Sequence, residues 1–415
     1  MGARAFVNES SFTETRPTWK PGRGLDLPLL VTVIALVIFG LVMVFSASWD
    51  YSLMAYNSPM YMFEHQLTWL GFGLAAAFVL SLFDYHHWRK MIIPVMGLTI
   101  LLLALVLFLN EIRLGAKRAL FEGSYQPSEM AKLATIIYLS VWLYAKRQML
   151  HDLSLGLLPL GVILGVIGGL IYQQPDLSAA GTVLIMGGLL FFLAGGDLKQ
   201  ICILLVIAVA AGWLVVQISA TGHERVAEFI AGLKDPTQAS YHVQRSFEAI
   251  VNGSWFGVGI GRAQSKLTGL PVPPTDSIFA VIVEELGLFG AVMLIGMYAM
   301  LVWRGFIIAR RAPDMLGTLL ATGLVLWIGI EAIINMTAMV GLMPFAGNAL
   351  PFISAGGSNL VCSLAAIGIL LNISRQKGEI TNEEDRRSYS AVVNLRGWNR
   401  RRRIPRPRRV PGSVS

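Results

Sequence analysis

The stretch LPLLVTVIALVIFGLVMVFSA, residues 27–47, decides the fold. It runs for 21 residues without a charge. A helix that crosses the hydrocarbon core of a bilayer needs about 20 predominantly apolar residues. No water reaches that layer, so the segment must satisfy its own backbone N–H and C=O groups, and a helix does so. A β-barrel would instead show shorter segments of alternating hydropathy. The 26 residues before it are polar with scattered charges, and the apolar run is long and lacks an obvious cleavage site. It therefore reads as a retained span rather than a signal peptide.

The same signature recurs along the chain. Candidate spans lie at about 27–47, 66–83, 91–109, 128–145, 155–173, 178–195, 199–219, 277–303, 314–335 and 356–374. Composition agrees: 55% of the 415 residues are hydrophobic and only 14% are charged, with a mean hydropathy of +0.62. Soluble domains carry about 25% charged residues, so a water-soluble globule is excluded. The apolar content also excludes disorder over most of the chain. Two cysteines, Cys202 and Cys362, both in apolar runs, exclude a disulfide scaffold. The expected fold is an all-α polytopic membrane protein of about ten transmembrane helices. It has a large external loop over 220–275, between spans 7 and 8, and an irregular, re-entrant segment before span 10.

Ten spans place both termini on one side. Cations concentrate on the cytoplasmic side of membrane proteins. A cytoplasmic N-terminus puts Arg89, Lys90, Lys146, Arg147, Lys199, Arg304, Arg310, Arg311 and the basic tail inside. Three cations, Arg113, Lys117 and Arg118, then stand on the outer side of a short loop, against the rule. The expected organisation is a cytoplasmic segment 1–26, a membrane domain 27–374 and a disordered basic tail 375–415. NRRRRIPRPRR at 399–409 suits anionic lipid or an acidic protein partner beside a membrane, not nucleic acid.

Polar residues within or beside spans are functional candidates, because burying them in lipid is costly. In GAKRALFEGSYQPSEMAK, 115–132, Pro127 suits a helix start and Ser128 can cap it. Glu129 and Lys132, three apart, share a helix face. They form either a local ion pair or, with Arg118, the wall of a cavity for an anion. Asp176, in the short turn QQPDLS, is either a helix N-cap or a functional group. HERVAEFIAGL and YHVQRSFEAIV in the external loop read as interfacial or re-entrant helices, and GVGIGRAQSK as a turn, since no strand precedes it. In PVPPTDSIFAVIVEELG, 271–287, Asp276 stands at a helix entrance on the outer side, and at least one of Glu284 and Glu285 must face the bundle interior. NMTAMVGLMPFAGNALPFISAGGSN, 335–359, is uncharged but too irregular for a lipid-facing helix, and fits a segment lining a cavity.

Taken in order, six blocks resemble the SEDS family (shape, elongation, division and sporulation). They are GA-K-R at 115–118, QPSE-AK at 126–132, QPDL at 174–177, Tyr241, Gln244 and Ser246, TD-IFA with EELG over 275–287, and GL-P-G-LP-IS-GGS from Gly341 to Ser358. The chain departs from the family pattern at Ala119, Ser178, Val272, Pro274, Ser277, Ala346 and Ala355. The polar N-terminal extension and long tail resemble the division-type FtsW branch more than RodA.

The resemblance implies a peptidoglycan glycosyltransferase, an enzyme that polymerises lipid II into β-1,4 glycan on the outer face of the cytoplasmic membrane and releases undecaprenyl diphosphate. It implies Asp276 as the catalytic carboxylate and a substrate site drawn from Lys117, Arg118, Glu129, Lys132, Asp176, Gln244, Ser354, Gly356, Gly357 and Ser358. It further implies dependence on a divalent cation, Mg²⁺ or Mn²⁺, with unknown ligands. The implied partners are a class B penicillin-binding protein (a transpeptidase) and division regulators. The chemistry is consistent with one carboxylate: a base on the acceptor hydroxyl suffices when the leaving group is a diphosphate, unlike the paired carboxylates of hydrolases. Cations must meet the departing charge, and Lys117, Arg118 and Lys132 are the candidates. The competing readings are a lipid II flippase, which would place its site near the midplane, a RodA-type elongation polymerase, and a non-catalytic scaffold.

Overall fold

The computed structural model describes residues 24–108 and 126–376. Lys117, Arg118, most of the N-terminal segment and nearly all of the basic tail therefore lie outside the described residues. All regular structure among the described residues is helical. In chain order the helices are α1 (Leu27–Tyr56), α2 (Tyr61–Leu82), α3 (Trp88–Phe108), α4 (Pro127–Lys146), α5 (Leu158–Tyr172), α6 (Leu177–Leu193) and α7 (Leu198–Ile218). Then follow α8 (Ala220–Lys234), α9 (Tyr241–Gly253), α10 (Ile278–Arg310), α11 (Met315–Met339) and α12 (Gly357–Arg375). Eight stretches are helical, long and apolar enough to cross a membrane. Of the other two expected spans, α6 is apolar but has 17 residues, and α4 carries Glu129 and Lys132. The segment 220–275 holds two amphipathic helices, α8 and α9, as its periodicity suggests.

Helix starts follow the sequence. Asp26 caps α1, its Oδ1 accepting from the Leu29 amide at 3.0 Å, with Pro28 in the first turn. The same carboxylate takes Arg304 Nη2 at 2.5 Å, tying the start of α1 to the far end of α10. α10, α11 and α12 are the most buried spans, and α7 is the least buried. α12 lies along α2. Polar side chains stitch both ends of that seam. Gln66 Nε2 donates to the Ser354 carbonyl and its Oε1 accepts from the Gly356 amide, both at 3.3 Å. At the other end Asn372 Nδ2 donates to Ser81 O at 3.0 Å and its Oδ1 accepts from the Tyr85 amide at 3.1 Å.

α10 is broken at Gly287, where φ is 69° and ψ is −168°. That backbone conformation is essentially restricted to glycine. The break frees two amides of α10, and the turn after α9 takes them: Leu288 N donates to Ser254 O at 3.0 Å and Phe289 N to Trp255 O at 3.2 Å. A Cβ at Gly287 would stand 2.4 Å from Trp255 O. The α9 end and the α10 kink are therefore one unit.

A second polar cluster closes the face where α2 meets α3 and α10 meets α11. Asp314 caps α11 through the Gly317 amide at 2.8 Å, accepts from Tyr85 Oη at 2.8 Å and faces His86 Nε2 at 3.2 Å. Burial raises the Asp314 carboxyl, but the bonds from His86, Gly317 and Tyr85 outweigh it and hold it below the usual carboxylate range.

Two outcomes are expected. Gly287→Ala lowers stability by about 3 kcal/mol or more, from backbone strain plus the clash, measured as thermal unfolding in detergent; an unchanged unfolding temperature contradicts the kink's role. Asp314→Asn lowers stability at neutral pH by about 1–2 kcal/mol. A carboxyl depressed in the folded state stabilises above its unfolded pKa of about 3.9 and loses that contribution as pH falls through the folded value. The difference between wild type and Asp314→Asn must therefore close in acid; it narrows without closing in base, as His86, raised by its bond to Asp314, loses its proton.

Candidate active site

Asp276 stands just before α10, half-buried, at the end of the loop PVPPTD. Three elements fix its backbone. Within the loop, Ser277 Oγ donates to Pro271 O at 2.8 Å and Thr275 N to Val272 O at 3.2 Å. From α11, Asn335 Nδ2 donates to Asp276 O at 3.0 Å and also to Asn348 O at 2.5 Å. From the irregular segment 340–356, Ser354 Oγ donates to Thr275 O at 2.7 Å and Ala355 N to Pro274 O at 2.8 Å. Asn335 is 2% exposed. Its Oδ1 and the Nδ2 of Asn348 are buried without a hydrogen-bond partner among the described residues. Gly347, at φ +60°, lies against the carboxylate: a Cβ there would be 3.4 Å from Asp276 Oδ2. The segment 340–356 is thus a non-helical brace across the α10 entrance. The next two residues, Gly357 and Ser358, start α12.

Beside the brace lies a shallow groove, with room for about one water, between α8, α9 and residues 341–345. Its walls include Phe229, Val243, Phe247 and Phe345, with Arg225 as the charged residue. The Arg225 guanidinium carbon is 5.8 Å from the Phe345 ring centre. On Phe345 the His242 ring stacks at 4.0 Å. Burial, with Arg225 adding to it, pushes His242 down to about 4, so its ring is neutral at pH 7. Gln244, expected at the substrate site, spends its Nε2 on the carbonyls of Thr237 and Ala239, both at 2.7 Å, and so locks the turn between α8 and α9.

The residues of the QPSE-AK and QPDL blocks meet in a second, buried layer. Lys132 is 1% exposed. It donates to Glu129 Oε1 at 2.8 Å and to Glu331 Oε1. Asn359 Nδ2 donates to Glu129 Oε2 at 3.0 Å and Glu331 Oε2 at 3.4 Å. Asp176 caps α6 through Ala179 N at 3.1 Å and also accepts from Gln126 Nε2 at 2.8 Å and Ser128 Oγ at 3.1 Å. Ser128 therefore reaches Asp176, and Gln126 occupies the N-cap position of α4. Ser358 Oγ accepts from the Gln126 amide at 3.3 Å, joining α12 to this layer. Lys132 pairs with Glu129 as the spacing suggests, and its second partner, Glu331, had not been singled out. The signal was available: Glu331 is the one charged residue in α11, and such residues mark sites by default.

Both glutamates of EELG are buried and serve the loop before Asp276. Glu284 accepts from the Gln264 amide at 3.0 Å and from Ser265 Oγ. Glu285 accepts from Ser46 Oγ at 2.6 Å and pairs with Lys266 Nζ at 3.0 Å. The amides of Val258 and Gly259 are taken by the Glu284 and Glu285 carbonyls at 2.9 and 3.0 Å. GVGIGRAQSK is thus a turn folded onto α10.

Comparison with known proteins follows this architecture. The family model described as "Cell cycle protein" (FtsW, RodA and SpoVE) matches residues 27–379. A probable peptidoglycan glycosyltransferase FtsW from Trichlorobacter lovleyi is 38% identical over 84% of this chain and 93% of its own. One from Geobacter metallireducens is 37% identical over 85% and 96%. Stage V sporulation protein E of Bacillus subtilis is 34% identical over 84% and 96%. Among solved structures, a chain of a peptidoglycan synthase complex, described as coordinating polymerization and crosslinking, superposes with a TM-score of 0.68 at 27% identity. The match covers 85% of this chain and 98% of that one. The rod shape determining protein RodA of Thermus thermophilus gives 0.64 at 25% identity, over 86% and 98%. With its motifs in family order, its fold shared and its relatives matched along nearly their whole length, this chain belongs to the FtsW, RodA and SpoVE family of cell cycle proteins.

Proposed function

We propose that this chain is a peptidoglycan glycosyltransferase of the FtsW type, polymerising lipid II at the division septum. The observation that carries the reading is Asp276: a half-buried carboxylate at a helix entrance, its backbone fixed from α11 and from the brace. Names of relatives, probable peptidoglycan glycosyltransferases, support the same activity. The acceptor's 4-hydroxyl gives its proton to Asp276 as its oxygen bonds to the anomeric carbon. The bond from that carbon to the lipid diphosphate breaks, and the electron pair leaves with undecaprenyl diphosphate. Attack opposite the leaving group turns the α-linked donor into a β-1,4 bond. A fixed base removes the entropic cost of finding the hydroxyl.

The reading includes ten spans with both termini cytoplasmic, so that Asp276, α8 and α9 face outward. It includes a class B penicillin-binding protein as partner, in keeping with the synthase complex among the structural neighbours, and division regulators. Lys117 and Arg118 belong to the substrate site in this reading, with Gly356, Gly357 and Ser358 lining its α12 side. Dependence on Mg²⁺ or Mn²⁺ is also proposed. The described residues do not fit a protein-built cage: no three His, Cys, Asp or Glu side chains converge among them, and Lys132 already occupies Glu129 and Glu331. An ion would depend on substrate phosphate oxygens, and no step here is routed through it.

Two measurements check the reading. Asp276→Ala, purified with the transpeptidase, unfolds at the wild-type temperature and makes no glycan from lipid II; full polymerisation by this variant refutes the reading. Loss of lipid II crossing in proteoliposomes, with polymerisation intact, would instead support a flippase. Asn335→Asp keeps the shape but has no amide hydrogens for two carbonyls, so turnover falls on the order of 10²-fold while the lipid II KM changes little. Wild-type turnover in Asn335→Asp contradicts the bracing role.

A further inference from the structure

We infer that the turn after α9, carried by Trp255 and Phe256, is a prong seated among the lipid acyl chains of the leaflet farther from Asp26. With the N-terminus cytoplasmic, that is the outer leaflet. The inference goes beyond the glycosyltransferase reading and does not depend on which reaction the chain catalyses.

Two polar ties between α1 and α10 set the height of the membrane. At one end Arg304 Nη2 donates to Asp26 Oδ2 at 2.5 Å. At the other, Ser46 Oγ donates to Glu285 Oε1 at 2.6 Å, and Lys266 Nζ reaches the same oxygen and the Ser46 carbonyl, both at 3.0 Å. Asp26 and Ser46 are 20 residues apart along α1, and Glu285 and Arg304 are 19 apart along α10. At 1.5 Å per residue each path is about 30 Å, the thickness of bilayer hydrocarbon. No Asp, Glu, Lys or Arg stands between the ties in either helix. Charged side chains are costly in the hydrocarbon layer, so the two ties mark its two edges.

The prong lies just inside the edge marked by Glu285. Its Ser254 and Trp255 carbonyls accept from the amides of Leu288 and Phe289, three and four residues deeper along α10, or about 5 Å. The turn is held rigidly there: Gly257, at φ +78°, has no room for a Cβ, which would stand 2.2 Å from Glu285 O. Yet its large side chains do not fold back onto the protein. Trp255 is 69% exposed and Phe256 86%. On α10 beside them Leu288, Phe289 and Val292 are also exposed, so the apolar surface continues from the turn onto the helix. An exposed apolar patch marks an interaction surface, and at this height the surroundings are acyl chains. An indole at the edge of the hydrocarbon suits that level. Charge agrees with the placement. Gly259 N is bonded to Glu285 O and Gln264 N to Glu284 Oε1, which holds the exposed Arg262 between them at the edge, where lipid phosphates lie.

The test uses the full chain in phosphatidylcholine liposomes, with Cys202→Ser removing the exposed thiol and a bimane fluorophore on Phe256→Cys. Blue-shifted emission is expected, quenched by phosphatidylcholine carrying a nitroxide near the top of its acyl chain and spared by iodide in the water. Quenching by iodide with none from the labelled lipid overturns the inference. The same measurement with the transpeptidase bound separates lipid from protein. Lipid quenching is expected to persist; its loss makes the prong a protein contact and overturns the inference. If Phe256→Cys does not fold, Val251→Cys carries the bimane instead, since Val251 is 76% exposed in the last turn of α9, with the same expected and contradicting results. A chain that makes no glycan leaves these outcomes unchanged, so this inference and the enzyme reading fail separately.

Discussion

One buried amide carries much of this architecture. Asn335 Nδ2 holds the carbonyls of Asp276 and Asn348 together, across the junction of α10, α11 and the irregular brace. The constraint behind it is general: backbone that is not helical can lie at membrane depth only if protein groups replace the missing intrahelical bonds. The segment 340–356 meets that demand with Asn335, Ser354 and Gln66, and the break at Gly287 meets it with the turn after α9. Side-chain amides and one kink thus allow the loop that carries Asp276 to sit inside a bundle of apolar helices.

Much of this was legible in the sequence for physical reasons. Apolar runs long enough to cross a bilayer have few alternatives to a helix, so α3, α7 and the starts of α1 and α10 could be placed closely. The helical reading of 220–253 followed from periodicity. Boundaries were harder: α1 runs on to Tyr56, past the last strongly apolar residue, because its final turns keep their own hydrogen bonds wherever lipid ends. Asp276, Lys132 and Asp176 could be named because polar residues stand out against apolar surroundings, and Ser354 through the family resemblance. Their partners were less visible. Glu331 and Asn335 lie 199 and 59 residues from the groups they hold, and no local spacing encodes such contacts.

Charge is distributed in keeping with these roles. From Arg375 onward the chain has 12 Lys or Arg and four Asp or Glu, which accounts for the whole formal charge of +8. Residues 1–374 are formally neutral, and two buried cations among the described residues are paired: Lys132 with Glu129 and Glu331, Lys266 with Glu285. Buried pairs of this kind add little net stability but are costly to break from one side. They fix α4 to α11 and the 257–270 loop to α10.

In the proposed function, activity depends on where the brace holds the Asp276 carboxylate. Asp276→Glu keeps the charge and moves it by one methylene. Lipid II turnover by the purified chain with its transpeptidase is the measurement. The account predicts a loss of at least about tenfold in kcat, with KM little changed, because misplacement alone costs rate. Wild-type turnover by Asp276→Glu would contradict it.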